Sequence, residues 1–91
     1  MEKNLAVFTM EGCPYCVDFK KMLKDNNIEF TELDINEHQE EYEMFVEITK
    51  NEYVPAFMII EGGGENVEFF APERDYEELD QALEIINKKV Q

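Results

Sequence analysis

Leu5-Ala6-Val7-Phe8-Thr9-Met10-Glu11-Gly12-Cys13-Pro14-Tyr15-Cys16 is the stretch whose reading settles the fold. Leu5 to Thr9 is a short β-favouring run, and Met10-Glu11-Gly12 ends it. Two cysteines follow, and a helical pattern then continues to about Lys24. Pro14 suits the first helical position, because the N–H that proline lacks would have no partner there. Cys16, Phe19, Lys20 and Leu23 recur at i, i+3, i+4 and i+7, so they share one helix face. Lys20, Lys21 and Lys24 lie toward the C-terminal end, where cations are favoured, and Asn26-Asn27 supply a stop.

Downstream, Ile28, Phe30, Leu33 and Ile35 mark a second strand with imperfect alternation. Gln39 to Lys50 reads as a helix with Tyr42, Phe45, Val46 and Thr49 inward. Val54 to Ile60 is apolar enough for a central strand covered on both faces. Gly62-Gly63-Gly64-Glu65-Asn66 is a hairpin turn into a fourth strand, Val67 to Phe70. Pro72 to Asp75 breaks the pattern, with Asp75 as the expected cap of a last helix. That helix runs from about Tyr76 to Lys89, with Leu79, Ala82, Leu83, Ile86 and Val90 on one stripe. The order β-α-β-α-β-β-α predicts an α/β fold. A four-stranded mixed sheet has helices on both faces, its first two strands parallel and its last two a hairpin.

Length and charge bound the function. The 91 residues permit a single domain, 1–91, and 44% hydrophobic content is enough for one two-layer core. Eight Lys and Arg against 22 Asp and Glu leave a net charge of −14. Phosphate-mediated binding to nucleic acid needs a basic patch and is all but excluded on this ground. Docking to anionic membrane surfaces is disfavoured, and the longest apolar run, Ala56 to Ile60, is too short to cross a bilayer. The first residues have neither a long apolar stretch nor a small-residue cleavage site, so a cytoplasmic location is expected. In that compartment a close cysteine pair is more often catalytic or metal-binding than structural.

A C-x-x-C pair at a helix start carries definite chemistry. One helical turn holds the two side chains close enough for a disulfide that opens and recloses with little backbone movement. The first turn has unpaired N–H groups and the positive end of the helix dipole, which stabilise a thiolate. Cys13 is therefore expected to ionise more readily than an ordinary thiol and to be the nucleophile. Cys16, a turn further in and facing inward, is expected to be the shielded resolving thiol. Glu11 and Asp18 oppose the ionisation, and Lys20 and Lys21 partly offset them. A zinc site needs about four ligands, and His38 is the only histidine, so no metal is expected.

Met10-Glu11-Gly12-Cys13-Pro14-Tyr15-Cys16 resembles the active-site stretch of the dithiol glutaredoxins, whose usual motif is Cys-Pro-Tyr-Cys. Tyr53-Val54-Pro55 resembles that family's Thr-Val-Pro segment, in which the proline is cis. The resemblance covers essentially the whole chain. It implies a thioredoxin-like fold and glutathione-linked reduction of protein disulfides or glutathionylated thiols. Cys13 and Cys16 would form the redox disulfide. Tyr15, Val54 and Pro55 would bind glutathione as co-substrate, the Val54 backbone pairing with it as an added strand. A monomer is expected, served by glutathione and in some members by a flavin-dependent reductase.

Two departures stand out. Family members often carry a lysine shortly before the motif, where this chain has Thr9-Met10-Glu11. They also have a Gly-Gly pair and an acidic residue after the fourth strand, where this chain has Phe70-Ala71-Pro72-Glu73-Arg74-Asp75. Arg74 and Asp75 are substitute candidates for ligand contact. The alternatives left open are a thioredoxin-reductase-dependent electron donor, for example to ribonucleotide reductase, and a glutathione-ligated iron–sulfur carrier.

Overall fold

In the computed structural model, residues 3–52, 54–62, 64 and 66–90 are described, with only the backbone of Val90. The expectations for Tyr53, Gly63, Glu65 and the Val90 side chain lie outside the described residues. Seven elements follow in order: β1 (Lys3–Thr9), α1 (Pro14–Asp25), β2 (Thr31–Asp34), α2 (Gln39–Thr49), β3 (Ala56–Glu61), β4 (Asn66–Phe70) and α3 (Leu79–Val90). The sheet order is β2-β1-β3-β4. β1 and β2 are parallel, from Ala6 opposite Thr31 to Thr9 opposite Asp34. β3 runs antiparallel to both β1 and β4.

Side-chain alternation splits the core into two layers. Leu5, Val7, Phe57 and Ile59 face Phe19 and Leu23 of α1 and Ala82 and Ile86 of α3. Ala6, Phe8, Ala56 and Met58 face Phe45 of α2. The Phe8 ring lies 5.0 Å from that of Phe45, centroid to centroid. Fully burying each such side chain contributes about 1.5–3 kcal/mol. Among the described residues no helix is long and apolar enough to cross a membrane.

Three of the boundaries that differ from the sequence expectation do so for a local reason. Strand β2 starts at Thr31, not near Ile28, because Ile28 completes the end of α1. Its N–H donates to the Leu23 carbonyl at 2.9 Å, and the Asn27 N–H to that of Lys24 at 3.1 Å. With Asn27 left-handed (φ 58°) this is a Schellman ending, sealed by burial of Leu23 and Ile28 in one cluster. Strand β3 starts at Ala56, since Pro55 has no N–H to give a ladder.

Helix α3 starts at Leu79, and Asp75 does not cap it. The Gln81 side-chain oxygen accepts from the Glu77 and Glu78 N–H groups at 2.7 and 3.1 Å, half of a capping box. Asp75 instead closes its own loop. Its carboxylate accepts from the Ala71 N–H at 2.9 Å, and its N–H donates to the Ala71 carbonyl at 3.0 Å.

Candidate active site

Thr9 delivers the chain into a turn in which the Cys13 N–H donates to the Met10 carbonyl at 3.3 Å. Gly12, third in that turn, has φ +79°, a conformation that side-chain-bearing residues rarely take. Nothing lies within 4 Å of where its Cβ would be, so the demand for glycine comes from the backbone. Cys13 then takes the N-cap position of α1 in extended conformation, with Pro14 opening the helix. Its Sγ accepts the Cys16 N–H at 3.1 Å. The sulfur thus occupies the place a serine or aspartate oxygen usually fills at a helix start.

The two cysteines are joined as a disulfide, their Cα atoms 5.3 Å apart. Cys13 keeps 7% of its surface exposed and Cys16 only 1%. The order matches the expectation of an outer and an inner sulfur, although the outer one is more closely covered than its position at the chain turn implied. No acidic side chain stands in the first turn of α1. Lys20, expected to offset charge near Cys13, is instead engaged across the sheet edge. Its ammonium donates to Glu32 at 2.9 Å, and the Thr9 hydroxyl donates to the same carboxylate oxygen at 2.8 Å. These two bonds, Lys20 first, hold the Glu32 carboxyl below its ordinary range.

The Val54–Pro55 peptide is cis. Pro55 is buried, Val54 is half-buried, and Tyr15 is 67% exposed. All three line one groove of about 840 Å³, between α1 and the segment from Pro72 to Asp80. The fold therefore brings Tyr15 together with a pair of residues 39 and 40 positions further along the chain. Gly62 and Gly64 lie in turn conformation between β3 and β4 at the far end of the sheet, since Glu61 pairs with Lys3 while Ala56 pairs with Phe8. Arg74 turns back on its own loop, its guanidinium donating to the Phe69 carbonyl at 3.2 Å and to Asp75 at 2.9 Å. His38 sits at the start of α2 with Nδ1 3.7 Å from Glu41. Among the described residues no three His, Cys, Asp or Glu side chains gather in a metal-binding arrangement.

Sequence reasoning missed Tyr76. Read as the first residue of the last helix, it is instead 5% exposed and part of the core between the sheet and α1 and α3. Its hydroxyl donates to the Pro55 carbonyl at 2.6 Å, and its ring stacks on Phe57 at 5.5 Å. Burial, and then the nearby Asp75 charge, raise its pKa, so the hydroxyl stays a donor. A lone aromatic directly after a Pro-Glu-Arg-Asp break was the available signal. Tyr76→Phe is expected to leave the Pro55 carbonyl unpaired, at a cost of about 1–2 kcal/mol. The check is a fall in the denaturant midpoint at unchanged m-value.

Comparison with known proteins agrees with this geometry. A family model described as glutaredoxin matches residues 5–63. Glutaredoxin 1 of Rickettsia conorii is 36% identical over 44 residues, 47% of this chain and 43% of that protein. Glutaredoxin 1 of Rickettsia felis is 34% identical over 44 residues, with the same shares. The matched segment thus spans less than half the length of these curated relatives. The solution structure of glutaredoxin from Brucella melitensis superposes with a TM-score of 0.54, covering 94% of this chain and 80% of that one. At 20% identity this likeness speaks for the fold alone, which is thioredoxin-like. The matched region runs from β1 through the cysteine pair and the cis proline to the β3–β4 turn, and on that ground the chain belongs to the glutaredoxin family.

Proposed function

We propose that the protein is a dithiol–disulfide oxidoreductase, acting through Cys13 and Cys16. The observation that carries the reading is the Cys13 sulfur held as the N-cap of α1, accepting a backbone N–H, with Cys16 enclosed one turn behind it. In the reduced protein the same N–H and the helix dipole stabilise a Cys13 thiolate. That thiolate attacks one sulfur of a substrate disulfide. A mixed disulfide forms, and the other substrate sulfur leaves as a thiolate and takes up a proton. Deprotonated Cys16 then attacks the Cys13 sulfur, closing the Cys13–Cys16 disulfide and releasing the second substrate thiol. Two electrons pass from the cysteine pair to the substrate.

Glutathione is the proposed reductant for the return half. Two glutathione thiols are oxidised to glutathione disulfide while the cysteine pair regains two electrons and two protons. Family membership and the cis Val54–Pro55 segment in the groove support this. Among the described residues the Val54 backbone makes no hydrogen bond, so it offers a strand-like edge to a γ-glutamyl peptide. Glutathionylated thiols would be handled through the same mixed disulfide, in a reducing, cytoplasmic setting.

The Ala71–Asp75 loop, standing where the family's glycine pair is expected, favours a second reading in which a flavin-dependent thioredoxin reductase supplies the electrons. A coupled assay on a small mixed disulfide separates the two. It is run with glutathione and glutathione reductase, and again with thioredoxin reductase. Turnover is expected in the first. Turnover in the second alone would overturn glutathione while sparing the dithiol chemistry, and turnover in neither would overturn both.

A further inference from the structure

The groove beside Tyr15 and Val54 is walled by six carboxylates: Asp18 and Asp25 on α1, and Glu73, Glu77, Glu78 and Asp80 opposite. Among the described residues Lys21 is the single cation in its lining. Among the described residues none of the six side chains is in an ion pair or hydrogen bond. Glu77, Glu78 and Asp80 stand at the start of α3, where negative charge stabilises the helix. Helix stability does not account for the facing wall. Asp25 is the last residue of α1, the end at which a carboxylate is disfavoured. Tyr15 adds an exposed aromatic ring to the same groove, a surface on which a guanidinium or ammonium group is favoured. Carboxylates converging on a concave surface focus a negative potential into it.

We infer that this groove selects disulfide substrates whose flanking residues are positively charged, with Lys or Arg lying between α1 and the start of α3. The inference rests on the oxidoreductase reading and names the substrate class of that same site. The exchange is the two-electron step written above, with the cysteine pair as reductant. Glutathione, with two carboxylates and one ammonium group, carries a net negative charge, so the walls favour a cationic substrate over it while the Val54 edge stays open to both. An extended cationic segment can instead pair with the Val54 edge and place its basic side chains against the carboxylate walls.

The test uses the full chain, reduced beforehand and freed of reductant, so that the source of electrons does not enter. Single-turnover reduction is followed by acid quench and mass spectrometry on three peptide disulfides of equal length, flanked by Lys, by Glu or by Ser. At low ionic strength the Lys peptide is expected to react roughly tenfold or more faster than the Glu peptide. High salt should shrink that ratio toward one, as screening removes the potential.

Glu77→Lys with Glu78→Lys should collapse the preference, since Gln81 caps α3 through their backbone N–H groups and not their side chains. Asp25→Lys should act in the same direction and suits the end of α1. Glu43→Lys with Glu47→Lys, on exposed positions of α2 across the sheet, changes net charge equally and should leave the ratio within about twofold. Equal rates for the Lys and Glu peptides, or an equal fall in the α2 variant, would overturn the groove assignment. An unreactive Ser peptide would instead remove the oxidoreductase reading beneath it.

Discussion

Cys13→Ser is expected to lower disulfide reduction roughly 10³-fold or more, with little change in the fold. Serine differs from cysteine by one atom and can still accept the Cys16 N–H as an N-cap. The helix start therefore survives, while the sulfur that exchanges with a disulfide is gone. Cys16→Ser separates the two thiols. Its Cys13 thiolate still attacks, but no internal thiol resolves the product, so a mixed disulfide with the substrate should accumulate and be visible by mass under non-reducing conditions. The pair of variants distinguishes an oxidoreductase from a binding module that only presents a surface. If Cys13→Ser retained turnover, or if Cys16→Ser trapped nothing, the assignment of the two roles would be lost. Retained secondary structure by circular dichroism is the accompanying control.

Phe57→Ala is expected to cost about 3–5 kcal/mol, the largest stability loss of any substitution discussed. Phe57 is fully buried as the second residue of β3. Its ring stacks on Phe70 at 4.9 Å and on Tyr76 at 5.5 Å, and lies 5.9 Å from Phe19 of α1. One side chain thus ties the first helix, the fourth strand and the Pro72–Tyr76 loop to the sheet. A domain of this size has about 5–15 kcal/mol in total, so the loss takes a large share of its stability. The melting temperature should fall by roughly 12 °C or more. Because Tyr76 loses its stacking partner, its bond to the Pro55 carbonyl should loosen as well. A melting point lowered by only a few degrees would mean that Phe19, Phe70 and Tyr76 collapse into the space, and that the site does not depend on Phe57.

The contrast between Cys16 and Tyr76 shows where sequence reading stops. Cys16, Phe19 and Leu23 share a face because a helix repeats every 3.6 residues, whatever it packs against, and all three are buried as that period requires. The N-cap role of Cys13 is equally local, since the helix start and the sulfur are in the same turn. The stop of α1 at Asn26-Asn27 is local too and stands where the sequence places it, but the strand start at Ile28 does not. The alternation Ile28-Phe30 looked like strand, while Asn27 in the left-handed region and Ile28 turned back on Leu23 make the helix cap.

Tyr76 meets the Pro55 carbonyl across 21 positions. The Asn51 side chain meets the Pro72 carbonyl at 2.6 Å across another 21. No periodicity reports such pairs, since each depends on where a loop lands after the sheet has formed. The same holds for Asp75, whose sequence position before a helix suited a cap and whose carboxylate went to Ala71 instead.

By itself, then, the sequence determined the element order, the faces of α1 and α2, the layering of the sheet and the placement of two cysteines at a helix mouth. Those properties follow from interactions spanning a few residues. Only the tertiary structure decided that Tyr15, Val54 and Pro55 share a groove, that Tyr76 holds its floor, and that carboxylates from two distant segments face each other across it. Contacts of that kind arise when separate elements pack on one sheet, and no single stretch of chain encodes them.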